Sequence, residues 1–145
     1  MSQQDIAKLV SEIDRAKRRL RALLRSQDRR LLTKRPPSGD WSVIENLRHL
    51  LFAEQLHLGK FLPEGFEWSR VAFSGRTGKA YAQVGTEPTD DLEKIFQEWD
   101  RIHRPIRKLV KASRDPDVQK QLAGNLMHLN HHIATIEKLL SKSGA

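Results

Sequence analysis

A chain of 145 residues is the size of one domain and long enough to bury a core without cross-links. It contains no cysteine, which excludes disulfides, thiolate metal ligands and a cysteine nucleophile and leaves imidazole and carboxylate as the strong metal ligands. The formal charge is +8, and eleven basic against four acidic residues through Arg35 supply +7 of it.

That basic excess falls on the first stretch of the chain. Without a recognition-helix pattern, an RNP-like aromatic motif or a zinc finger beside it, it reads as a solvated basic face, and nucleic acid is disfavoured as a partner. No run of about 18 apolar residues occurs, and residues 1–30 lack a continuous apolar segment. The expectation is a single domain over residues 1–145 in the cytoplasm, with no membrane partner.

Apolar residues at Ile6, Leu9, Val10, Ile13, Ala16, Leu20, Leu23 and Leu24 recur at three-and-four spacing and predict one amphipathic helix from about Gln4 to Leu32. Pro36-Pro37-Ser38-Gly39 closes the connection that follows. Ser42 with Glu45 three residues on forms a capping box, so a second helix starts there and runs to about Leu62, before Pro63. Residues 63–89 hold Pro63, Gly65, Gly75, Gly78, Gly85 and Pro88 with no sustained period. A connection of that length either packs over the body of the protein or is mobile, and Phe66, Trp68, Phe73 and Tyr81 favour packing.

Thr89 or Asp90 caps a third predicted helix, with Leu92, Ile95, Phe96, Trp99, Ile102, Ile106, Leu109 and Val110 on one stripe. The stripe continues past Pro105, where a kink is expected. Asp115-Pro116 reads as a cap followed by proline at the first helical position, opening a fourth helix to about Leu140. Four long helices predict an all-α, antiparallel four-helix bundle with a long connection between helices two and three.

Three of the six histidines lie within five residues of the fourth helix, at His128, His131 and His132. Positions i and i+4 share a helix face, so His128 and His132 can offer two imidazoles to one point. Against the stripe Val118, Leu122, Leu129, Ile133, Ile136 and Leu140, His132 lies about 70° and His128 about 110° from the centre, with His131 almost opposite, in solvent. Asn125 lies near the same flank as a supporting group. Taken alone, such a pair reads more often as boundary histidines with one wet nitrogen than as metal ligands. His49 is the best candidate for a third imidazole, although the stripe Val43, Leu47, Leu50, Leu58 and Phe61 points away from it. Phe52, Ala53 and Leu56 share its side, so that helix is apolar nearly all round.

Glu54 falls on the leucine stripe and requires a partner or a polar cavity. Glu54-Gln55-Leu56-His57 is a Glu-x-x-His unit of the kind used by di-iron bundles, but Asp100-Arg101-Ile102-His103 is only a loose second copy. His103 sits on an apolar stripe, as a hydrogen-bonded core histidine does. Gly75-Arg76-Thr77-Gly78-Lys79 lacks the spacing of a P-loop, and no G-x-S-x-G elbow is present.

The run Trp41-Ser42-Val43-Ile44-Glu45-Asn46-Leu47-Arg48-His49, followed by Ala53-Glu54, resembles the W-S-x-x-E-x-L-x-H segment of the DinB/YfiT-like superfamily. The closing His128-Leu129-Asn130-His131-His132-Ile133-Ala134-Thr135-Ile136 resembles that family's H-x-x-H-H-x-x-x-I segment. The resemblance covers essentially the whole chain. It implies a four-helix bundle holding one divalent ion, nickel, zinc or iron, through histidines matching His49, His128 and His132, with His131 outside the ligand set. It further implies a metal-dependent enzyme, a thiol-dependent S-transferase or a small-molecule hydrolase, acting on a small-molecule substrate as a homodimer. Any thiol must be a low-molecular-weight cosubstrate, because the chain has none. The competing expectation is a non-catalytic basic helical bundle that binds an acidic partner such as nucleic acid.

Overall fold

The computed structural model describes residues 3–143 and the side chains of residues 5–141. They form five α-helices, α1 Gln3–Arg25, α2 Arg29–Thr33, α3 Val43–Leu58, α4 Leu92–Ala112 and α5 Pro116–Ser143, with two short 3-10 turns and no strand among the described residues.

The expected first helix is divided. Ser26 turns its hydroxyl onto the Leu23 carbonyl at 2.7 Å, and Asp28 accepts from the Arg30 N–H at 2.9 Å. Short polar side chains of this kind compete with the helix ladder for backbone partners, so α1 ends and α2 starts on a fresh cap. The capping box of α3 forms as read, with Ser42 Oγ accepting from the Glu45 N–H and Glu45 accepting from the Ser42 N–H. The α3 helix gives way at Gly59 to a 3-10 turn through Phe61. Asp91, rather than Thr89 or Asp90, caps α4, accepting from Glu93 and Lys94, while Thr89 Oγ1 accepts from the Asp91 N–H. Asp115 accepts from the Asp117 N–H at the start of α5.

The core is continuous: Ile6, Ile13, Leu20 and Leu24 of α1, Leu47, Leu51 and Phe52 of α3, Ile95, Phe96 and Trp99 of α4, and Leu129 and Ile136 of α5 are all buried. Each such side chain contributes roughly 1.5–3 kcal/mol by leaving water. The α3 helix packs against α5, α4 and α2, which explains why it is apolar nearly all round. Residues of α1 and α4 pair in opposite chain order: Asp14 meets Arg107, Lys17 meets Asp100, and Arg25 meets Glu93.

The connection from α3 to α4 packs against the helices, as its aromatics suggested. Arg48 donates from Nε to the Val71 carbonyl at 2.7 Å and from Nη2 to the Ala72 carbonyl at 3.3 Å, and its own carbonyl accepts from the Phe73 N–H. Gln55 clasps the same connection through the Glu67 carbonyl and the Ser69 N–H. Within the connection Ser69 and Ala72 are buried.

Candidate metal centre

Each of the three candidate histidines is aimed by its own neighbours. His49 follows Arg48 on α3, and both grip the same strip of the connection, His49 through a 2.9 Å bond from Nδ1 to the Phe73 carbonyl. A carbonyl only accepts, so Nδ1 carries the proton and Nε2 keeps its lone pair. His132 makes a 2.8 Å bond from Nδ1 to Asn46 Oδ1. Asn46 Nδ2 donates to the Ser42 carbonyl at 2.9 Å, which orients the amide so that its oxygen faces the imidazole. His132 Nε2 therefore also presents a lone pair.

The three rings converge. His132 Nε2 lies 3.2 Å from His128 Nε2, and one ligand atom from each of His49, His128 and His132 falls within 4.8 Å of the others. Among the described residues this is the group of histidines and carboxylates able to hold a metal ion. The Trp41 indole backs the group, 4.9 Å from the His49 ring and stacked 6.4 Å from the His132 ring. Phe73 meets Trp41 edge-on at 4.8 Å. Gly75 has φ +66°, and a Cβ there would fall 2.5 Å from Trp41, so only glycine lets the connection pass this close.

Burial, reinforced by charge on His132, His49 and His57, pushes His128 down to about 3. Burial, with charge on His49 and His131, pushes His132 down to about 4. His49 is lowered as well, first by burial and then by the neighbouring Arg76 and His57, against the opposing pull of the Phe73 carbonyl. All three imidazoles are neutral at pH 7, the state in which imidazole ligates metals.

The donor set fits a divalent ion. Imidazole nitrogens that share a tetrahedral ion at about 2.0–2.1 Å stand roughly 3.3 Å apart, close to the spacing between His128 and His132. His128 Nδ1 is buried without a hydrogen-bond partner, so packing and Nε2, rather than a carbonyl or carboxylate, hold this ring. Three neutral ligands would leave the charge of a divalent ion uncompensated.

The other titratable candidates separate from this group. His131 is exposed, as its helical angle required. Asn125 does not support His128 or His132; it pairs with His57 Nδ1 at 3.2 Å, and the His57 ring meets that of His128 edge-on at 5.7 Å. Glu54 does not join His57 in a carboxylate metal unit. It is buried and accepts from Trp99 Nε1 at 3.2 Å and from His103 Nδ1 at 3.0 Å, and His103 Nε2 reaches Asp14 at 3.0 Å. The loose second copy around Asp100 is likewise structural, because Asp100 pairs with Lys17 at 2.8 Å. Asn46 and Trp41 escaped sequence reasoning as functional residues, although Asn46, three residues before His49 on the same helix, was placed to share its face.

A cleft of about 500 Å³ lined by Trp41, Asn46, His131 and His132 opens behind His132. A larger groove of about 1020 Å³ lies between residues 62–71 and α4 and touches none of the three histidines, so its size does not outweigh the chemistry gathered at His49, His128 and His132. No described helix is long and apolar enough to cross a membrane.

The family model described as DinB superfamily matches residues 12–136. No curated protein and no solved structure matches the chain.

Proposed function

We propose that this chain, which belongs to the DinB superfamily, is a mononuclear metal-dependent enzyme with His49, His128 and His132 as the ligands of one divalent ion, nickel, zinc or iron. The observation that carries the reading is the convergence of three neutral imidazoles from α3 and α5, two of them held in the ligating tautomer by Phe73 and Asn46. The frame proposed for it is an antiparallel four-helix bundle of α1, α3, α4 and α5, supported by the opposite chain order of the pairs between α1 and α4.

The reaction proposed is transfer of a low-molecular-weight thiol to an electrophile, or hydrolysis of a small substrate. A divalent ion supplies Lewis acidity to such a site, lowering the pKa of a thiol or water beside it. The protein's own contribution is orientation and exclusion of water. Asn46 and the Phe73 carbonyl lock two rings, and Trp41 and Phe52 wall the His49 side with apolar surface.

The test is a pair of assays on protein loaded with zinc or nickel: conjugation of glutathione or L-cysteine to 1-chloro-2,4-dinitrobenzene, and hydrolysis of 4-nitrophenyl acetate. One of the two rates is expected to exceed background and to be lost in His128→Ala. Equal rates for wild type and variant in both assays contradict the catalytic reading.

A further inference from the structure

Beside the histidine group stands a cation that the metal-site reading does not use. Arg76 is exposed, and its guanidinium carbon lies 5.9 Å from the Phe52 ring centroid and 5.8 Å from that of Tyr81. Phe52 in turn lies 5.6 Å from the His49 ring and meets Tyr81 edge-on at 5.5 Å. Phe52 and Tyr81 thus form an aromatic shelf, with Arg76 on it and His49 next to Phe52. The nearness is also electrostatic, since the charge of Arg76 is one of the influences that lower His49.

The position is constructed rather than incidental. Ser74 Oγ accepts from the Arg76 N–H at 3.1 Å and donates to the Arg76 carbonyl at 3.0 Å, closing a tight staple around Gly75. Gly75 rests on Trp41, the same indole that backs His49 and His132. The guanidinium has one side-chain hydrogen bond, from Nη1 to the Tyr81 hydroxyl at 3.4 Å, and among the described residues no carboxylate pairs with it. Some arginines elsewhere do find such partners, as Arg35 does in Glu45 and Arg107 in Asp14. A guanidinium is a planar fork that matches a carboxylate, and stacking on rings preorganises it for that partner.

We propose that Arg76 is the specificity-determining residue of this site and takes the carboxylate of a small anionic substrate whose other end reaches the three histidines. The inference rests on the metal-site reading above and deepens it by naming the substrate class. Three uncharged ligands and a guanidinium without a carboxylate partner would together make the site cationic once a divalent ion is held, which disfavours a cationic substrate and favours an anion.

The experiment uses the zinc-loaded full chain and titration calorimetry. The probes are ω-mercaptoalkanoates of three to six carbons against ω-mercapto alcohols of the same lengths, with zinc content and helical circular dichroism measured alongside. Wild type is expected to bind the best carboxylate about ten-fold more tightly than its alcohol, the size of one charge-assisted hydrogen bond. Arg76→Gln is expected to lose that preference while keeping its zinc and its helical signal. Stoichiometric zinc with no carboxylate preference in wild type, or a preference unchanged in Arg76→Gln, overturns the role of Arg76 alone. Absence of zinc from both proteins overturns the metal-site reading and this proposal together.

Discussion

His103 is held between two carboxylates, Glu54 at Nδ1 and Asp14 at Nε2, each at 3.0 Å, so one imidazolium ties α4 to α3 and α1. Burial pulls its pKa down, but the hydrogen bond and charge of Glu54, with the hydrogen bond to Asp14, prevail against it and against Lys17, and the net shift is upward. A raised folded pKa means that this contribution is full below the unfolded value near 6.5 and is lost as pH rises through the folded one. His103→Ala leaves Glu54 buried with only Trp99, and breaking a buried pair from one side costs about 3 kcal/mol. Urea unfolding at pH 6 is expected to register that loss, and the variant's stability is expected to fall less than that of wild type between pH 6 and 8. An unchanged unfolding midpoint contradicts the clamp. Asn46 is a second test at this scale. Removing the partner that orients a ligating imidazole weakens metal affinity by about 10–100-fold. Asn46→Ala is expected to show that drop in chelator competition, and affinity within two-fold of wild type argues against its role.

At the scale of elements, α3 matters most because it carries His49, Arg48 and Asn46 from one well-defined start. Ser42→Ala is expected to cost about 1 kcal/mol in thermal or urea unfolding, the usual value of an N-cap, and no loss contradicts the capping account. That start was legible from Ser42 and Glu45, and α4 and α5 from their apolar stripes. The break between α1 and α2 was not, because Leu31 and Leu32 prolong the apolar pattern while Ser26 and Asp28 decide the backbone locally. The basic face of α1 is also less free than its composition suggests. Lys17, Arg21 and Arg25 pair with Asp100 and Glu93 of α4, whereas Arg15, Arg18 and Arg19 remain exposed. The exposed pair of Arg25 with Glu93 adds little, so it sets which faces meet more than how stable the protein is.

At the scale of the whole molecule, the site exists because residues about 80 positions apart are brought together by the packing of α3 on α5. Helical spacing put His128 and His132 on one face and turned His131 outward. His49 was less legible, since periodicity on α3 reports which face is leucine-rich, whereas His49 is secured by a connection that has no period at all. The same limitation hid Phe73 and Arg76. The central claim is tested most directly by elemental analysis of tag-free protein purified without chelator, beside His49→Ala, His128→Ala and His131→Ala. The account predicts about one divalent ion per chain in wild type and His131→Ala and none in the other two. No metal in wild type after addition of zinc, nickel or iron, or full metal in both His49→Ala and His128→Ala, would contradict it.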